Sequence, residues 1–305
     1  MLAVKNILPR AINLSKICRQ TASDYLSTKI CPFVSTGVKT QVASTFSLSK
    51  IIDKFNPLEK YRNSLIFAPS KKSYLILESD RKNLEELFID TPDGAKLHGY
   101  FMPAKEKTNK TVIFLHGNDL NINRWYLAPM NLQEHVPVNF LIVDYRGYGK
   151  STGQPSAKGV ITDALAMYKY LINKGYKSDD ISVYGRSLGG AVALELASRA
   201  NVRSAVVQSS FITFRDLIKA HKPSIYSLLF KKNLFNSKKN IQKVNTPILI
   251  SHGTEDKLIP LSHAYELYEN ANEPKKLIVL NGAGHEHLKE FYTEEYFKAL
   301  REMFL

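Results

Sequence analysis

The stretch Ile181-Ser182-Val183-Tyr184-Gly185-Arg186-Ser187-Leu188-Gly189-Gly190 says more about the fold than any other part of the chain. Its first four residues read as a short apolar strand. Residues 188–199 repeat apolar positions at helical spacing, so the serine falls on the turn between the two elements. A serine on a sharp strand-to-helix turn has its hydroxyl lifted clear of the strand end, where it is a candidate nucleophile. Side chains two residues to either side would collide with such a turn, and the glycines at 185 and 189 remove that collision. The competing reading is a glycine-rich turn with a helix-capping serine, and the strand before and helix after argue against it.

Working outward, short apolar runs recur at 111–115, 138–143, 203–208, 246–250 and 276–280. Parallel strands buried on both faces read in this way. Residues 158–173, 262–270 and 288–304 are helical in pattern, with Val160, Ala164, Met167, Tyr168 and Leu171 close to one face. This alternation predicts an α/β fold, a mostly parallel central sheet flanked by helices and joined by right-handed crossovers. A strand pair at 85–90 and 95–103, turned at Pro92, Asp93 and Gly94, is expected at one edge. In such sheets the functional loops lie beyond the carboxyl ends of the strands.

Three further motifs fall at those ends. Leu115-His116-Gly117-Asn118 follows the run 111–115. Serine attack on a carbonyl creates an oxyanion, which needs backbone N–H donors; the expected pair is Asn118 and Leu188. His116 reads as a brace for this loop. Ser251-His252-Gly253-Thr254-Glu255-Asp256 follows the run 246–250 and offers the carboxylate, with Asp256 preferred by position and Glu255 its rival. Asn281-Gly282-Ala283-Gly284-His285 follows the run 276–280 and offers the general base, with His287 as competitor. The candidate catalytic set is therefore Ser187, Asp256 and His285, in the chain order Ser, Asp, His. Asp144-Tyr145-Arg146-Gly147 at another strand end reads as structural, with Asp144 and Arg146 pairing locally.

Together these residues resemble the α/β-hydrolase superfamily over roughly residues 65–305, and within it the small-cap alpha/beta-hydrolase-domain-containing proteins, which include acyl-protein thioesterases. The likeness is carried by SLIFAP at 64–69, TPDGAKLHGYFMP at 91–103, HGN at 116–118, DYRGYGKSTGQPS at 144–156, GRSLGG at 185–190, HGTEDKLIP at 252–260 and GAGH at 282–285. It implies a serine hydrolase with a short helical cap, expected at about 209–243. It also implies cleavage of acyl ester or thioester substrates through a covalent acyl-enzyme. Aminopeptidase or amidase activity on the same triad is the alternative, and a non-catalytic binding module a third reading. No cofactor and no metal is expected. The cap mixes Phe211, Phe214, Tyr226, Leu228, Leu229, Phe230 and Phe235 with eight basic residues, either lining an acyl site or packing on the domain.

Composition bounds the remainder. At 305 residues with 44% hydrophobic content the chain can bury a full core, and its apolar runs are too short to cross a membrane. The net charge of +14 is concentrated in two segments: residues 1–84 hold 14 Lys/Arg against 5 Asp/Glu, and residues 209–243 hold 8 against 1. Such segments favour an anionic membrane surface; with no nucleic-acid-binding motif, nucleic acid is not an expected partner. Cys18 and Cys31 read as free thiols in a reducing compartment. Residues 1–60 form a basic extension ahead of a hydrolase domain at 61–305. The extension fits a basic amphipathic helix at a membrane interface, aided by acylation of Cys18 or Cys31, an organellar transit peptide, or a solvated tail. The expected location is cytoplasmic, with peripheral membrane association and organellar targeting left open.

Overall fold

The computed structural model describes residues 57–221, 230 and 234–305. The chain divides into two compact units, 1–61 and 62–305. Of the first, only residues 57–61 are described, as the start of the helix Pro57–Ile66. The readings made for residues 1–56, including those on Cys18 and Cys31, lie outside the described residues.

The second unit is built on an eight-stranded sheet of β1 (Glu85–Asp90), β2 (Lys96–Met102), β3 (Thr111–Leu115), β4 (Asn139–Val143), β5 (Ile181–Arg186), β6 (Ala205–Gln208), β7 (Ile248–Gly253) and β8 (Lys275–Leu280). Across the sheet the order is β8-β7-β6-β5-β3-β4-β2-β1. β1 pairs antiparallel with β2 and β2 with β4, while all the other pairs are parallel. The predicted antiparallel pair thus sits at one edge.

The continuous apolar runs have a direct cause. Every residue of β3 and β4 is buried. Successive side chains of a strand point to opposite faces. Ile113 and Leu115 accordingly join one apolar cluster with Leu141, Val183 and Val207, and Val112 and Phe114 join another with Phe140, Ile142 and Tyr184. The helices α1 (Ala157–Asn173), α2 (Leu188–Ala197), α3 (Phe214–His221), α4 (Ser262–Asn270) and α5 (Glu294–Phe304) divide between these clusters. Val160, Val192, Ile218 and Leu267 enter the first, while Tyr296, Leu300 and Phe304 of α5 enter the second. Among the described residues no helix is long and apolar enough to cross a membrane.

Two local expectations need correction. The last helical pattern, 288–304, is two elements: a 3-10 turn at Leu288–Phe291 and then α5. Thr293 separates them because its hydroxyl accepts from the Tyr296 amide at 3.2 Å, a capping bond that a helix interior would forbid. Asp144 and Arg146 do not pair with each other. Asp144 accepts from the amide of Ile122 at 2.8 Å, at the start of the short helix Ile122–Trp125. Arg146 is engaged elsewhere, donating to Asp163 through Nε and Nη2 at 2.9 and 2.7 Å and to Asp93 through Nη1 and Nη2 at 2.7 and 3.0 Å. Its planar fork fits two carboxylates at once, which a contact within the turn would not use.

Burial pushes the Asp163 carboxyl up, and the guanidinium opposes that rise. Arg146→Met should therefore leave a fully buried acid without its cation, at a cost of about 3–5 kcal/mol. Urea unfolding measures this as a lower midpoint at unchanged slope. A loss below about 1 kcal/mol would contradict the role given to the pair.

Candidate active site

Ser187 stands between β5 and α2 with φ 57° and ψ −120°, a left-handed backbone that costs a non-glycine residue on the order of 1–3 kcal/mol. The surrounding bonds hold it there. Its amide donates to the Gln208 carbonyl at 2.9 Å, and its carbonyl accepts from the Gly190 amide at 3.0 Å and the Ser210 hydroxyl at 2.8 Å. The elbow is closed by absent side chains: a Cβ on Gly185 would lie 2.1 Å from the Gly189 carbonyl oxygen, and one on Gly189 would lie 1.9 Å from that of Leu115. The two glycines thus let the Ser187 turn press against the end of β3.

His285 Nε2 lies 3.1 Å from Ser187 Oγ, and His285 Nδ1 lies 2.7 Å from Asp256 Oδ2. The structure therefore brings Ser187, His285 and Asp256 into one hydrogen-bonded chain. Glu255 and His287, the rivals, are exposed; His287 instead faces Glu290 at 3.5 Å. The two loops that meet here continue the pairing of β7 with β8. Beyond the Gly253–Leu280 register, the Glu255 amide donates to the Ala283 carbonyl at 2.9 Å, and the Gly282 amide to Thr254 Oγ1 at 2.8 Å. The strand pairing thereby fixes how Asp256 and His285 approach.

Asp256 is buried, which by itself would raise its pKa. Hydrogen bonds from His252 and His285, with that of the Ile259 amide, outweigh burial and hold the carboxyl well below its usual range. Its other oxygen accepts from the amides of Leu258 and Ile259 at 2.9 and 2.7 Å. This acid is ionised at neutral pH and aimed at the imidazole.

The Gly117–Asn118 loop lies beside the serine: a Cβ placed on Gly117 would sit 3.7 Å from the Ser187 Cβ and 2.8 Å from Trp125 Cζ2. Asn118 closes that loop and Leu188 opens α2, which is where the two expected oxyanion amides lie in the chain. His116 is fully buried, and burial lowers its pKa despite the nearby Asp144. Its Nδ1 lies 2.7 Å from the Gly117 carbonyl and its own carbonyl accepts from the Tyr145 hydroxyl at 3.1 Å, so it braces the loop.

Several supporting residues escaped the sequence reading. Residues 66–72 run along the loop that holds Gly117 and Asn118. The Asn118 carbonyl accepts from the Ala68 amide at 2.9 Å and the Tyr148 hydroxyl at 2.7 Å, while Asn118 Nδ2 donates to the Ile66 carbonyl at 3.1 Å. Asn121 Nδ2 reaches the carbonyls of Ser70 and Lys72 at 3.0 and 2.8 Å. His252 Nε2 lies 2.8 Å from the Ile259 carbonyl and 3.3 Å from Asp256 Oδ2, bracing the acid from behind. Arg186 donates to the His285 carbonyl at 2.7 Å. Ile66, Ala68, Tyr148, Arg186 and His252 lie within the motifs that carry the resemblance, but a motif does not tell where a side chain points. Within the segment expected to form a cap, Phe211, Phe214, Phe230 and Phe235 are buried in the first apolar cluster, so for these four the packing reading holds. Tyr226, Leu228 and Leu229 lie outside the described residues.

Residues 110–228 match a family described as alpha/beta hydrolase fold, and residues 234–291 one described as serine aminopeptidase, S33. Alpha/beta hydrolase domain-containing protein 17B of Xenopus tropicalis is 28% identical over 229 residues, covering 71% of this chain and 78% of that protein. An uncharacterized protein of Acanthamoeba polyphaga mimivirus is 30% identical over 251 residues, covering 74% of this chain and 83% of its own length. Among solved structures, an esterase from Pyrococcus furiosus superposes with a TM-score of 0.64 at 25% identity, covering 77% of this chain and 97% of that one.

Proposed function

The chain belongs to the alpha/beta hydrolase family and is a hydrolase, and on that premise we propose that it cleaves carboxylic ester or thioester bonds of acyl substrates through a covalent acyl-enzyme. The observation that carries this reading is the bonded chain Ser187 Oγ, His285, Asp256 on a strained elbow. In the proposed reaction the Ser187 oxygen bonds to the substrate carbonyl carbon as its proton passes to His285 Nε2. The carbonyl electrons collect on the oxygen, which the amides of Leu188 and Asn118 stabilise. The bond to the leaving alkoxide or thiolate breaks as His285 returns the proton. Water then repeats the sequence, freeing the acid and Ser187. Asp256 holds the imidazole in the tautomer that places a lone pair toward the serine.

The similarity to the Pyrococcus furiosus esterase supports the ester reading. The match of residues 234–291 to serine aminopeptidases keeps an amidase as the second reading. The basic segments at 1–84 and 209–243 support presentation of the substrate at an anionic membrane surface. Purified protein is expected to turn over p-nitrophenyl esters and an acyl thioester in preference to aminoacyl p-nitroanilides. Hydrolysis of the anilides alone would replace the proposal with the aminopeptidase reading.

A further inference from the structure

We infer that Arg186 is a positioning residue whose guanidinium, seated against the single tryptophan, fixes the loop of His285 and the loop of Gly117 relative to Ser187. The inference rests on the serine-hydrolase reading above and concerns the same site. Arg186 precedes the nucleophile, so its backbone belongs to the elbow itself. Its side chain leaves that elbow in two directions at once. Nη2 donates to the His285 carbonyl at 2.7 Å, and the guanidinium carbon lies 5.4 Å from the centre of the Trp125 ring. Trp125 is in turn tied to the oxyanion loop, donating from Nε1 to the Asp119 carbonyl at 2.9 Å, and it packs so close to Gly117 that a Cβ there would meet it at 2.8 Å. Its ring also lies 6.0 Å from that of His116. One side chain thus spans the three loops that supply nucleophile, base and oxyanion donors.

The chemistry of the residue fits this task and no other visible one. Among the described residues no carboxylate pairs with Arg186, whereas Arg146 lies between two. Its contacts are a π face and a carbonyl. A planar guanidinium can stack on an indole while donating in its own plane. A lysine can reach the carbonyl or the ring, but it lacks the plane that serves both. The site therefore holds an arginine where the elbow motif itself asks for no particular residue.

Positioning acts on the chemical step, where small displacements from the reactive geometry cost roughly 10- to 100-fold in rate. Arg186→Met is expected to lower kcat by that factor with KM little changed, and to slow fluorophosphonate labelling of Ser187 in parallel. Arg186→Lys should recover part of the loss. Because Trp125 is the only tryptophan, all tryptophan emission comes from this ring, and it should change in Arg186→Met while the circular dichroism stays that of the wild type. If Arg186→Met fails to fold, Trp125→Leu tests the same unit. Where both variants fold, the double variant should lose no more than the worse single one, because residues acting as a unit are not additive. Wild-type protein that neither labels nor turns over ester would sink the parent reading. An active wild type whose kcat is retained in Arg186→Met, or in Trp125→Leu, overturns this inference alone.

Discussion

Ser187→Ala is expected to abolish covalent labelling by a fluorophosphonate and to lower turnover by on the order of 10⁴ or more. The reason is geometric. Within this site Ser187 Oγ is the oxygen within hydrogen-bond reach of His285 Nε2, and the loop at Gly117 lies directly beside its Cβ. Phosphonate reagents trap whichever nucleophile the site activates, so labelling identifies the residue without knowledge of the substrate. Residual turnover of roughly 10³-fold over water would remain compatible with the oxyanion donors acting alone. Labelling that persists in the variant would show that another residue attacks, and the proposal would fall. The variant should stay folded, since the strained backbone at 187 is held by the bonds to Gln208, Gly190 and Ser210 rather than by the hydroxyl.

Asp256→Asn carries the second largest expected effect, a fall in kcat of roughly 10³- to 10⁴-fold. An amide at this position can present its NH₂ to His285 Nδ1 and turn the imidazole to the wrong tautomer, which places a proton toward the serine where a lone pair is needed. His285→Ala should do comparable damage by removing the base. Glu255→Gln and His287→Ala serve as neighbours for comparison. Both residues are exposed, and substitution should leave turnover within a few-fold of the wild type, as surface changes away from special features do. Steady-state kinetics on one ester, with circular dichroism for each variant, suffices. A Glu255→Gln enzyme crippled beside an active Asp256→Asn would show that the acid loop works in a different register.

The elbow was legible because its requirements lie within five consecutive residues: glycines where side chains would clash and a serine at the apex, between a strand and a helix. The loops of Asp256 and His285 were legible because parallel strands bring their carboxyl ends to one edge, so position after a strand stands in for position in space. The choice of Asp256 over Glu255 rested on motif position, and the structure gives its physical content. Asp256 receives the amides of Leu258 and Ile259, and the adjacent side chain points to solvent. What was not legible consists of contacts between residues far apart in the chain. Arg186 and His285 are separated by 99 positions, and Arg146 and Asp93 by 53. No periodicity or spacing encodes such a pair. The expectation that Asp144 and Arg146 would meet shows the hazard: nearness in sequence was taken for nearness in space, yet each had a better partner elsewhere. The split at Thr293 has a different source. A hydroxyl in an otherwise periodic pattern can cap as well as continue a helix, and the apolar repeat is blind to the difference.

The four buried phenylalanines between residues 211 and 235 bear on how this hydrolase could be re-engineered. Phe211, Phe214 and Phe230 form an edge-to-face series, with Phe214 lying 5.9 Å from Phe211 and 5.1 Å from Phe230, while Phe235 meets Phe67 edge-to-face at 6.4 Å. They act as roots, so a transplant of the whole segment from another enzyme would pull four rings out of the core, each worth several kcal/mol. Exchange limited to residues 222–229 would leave every root in the ground.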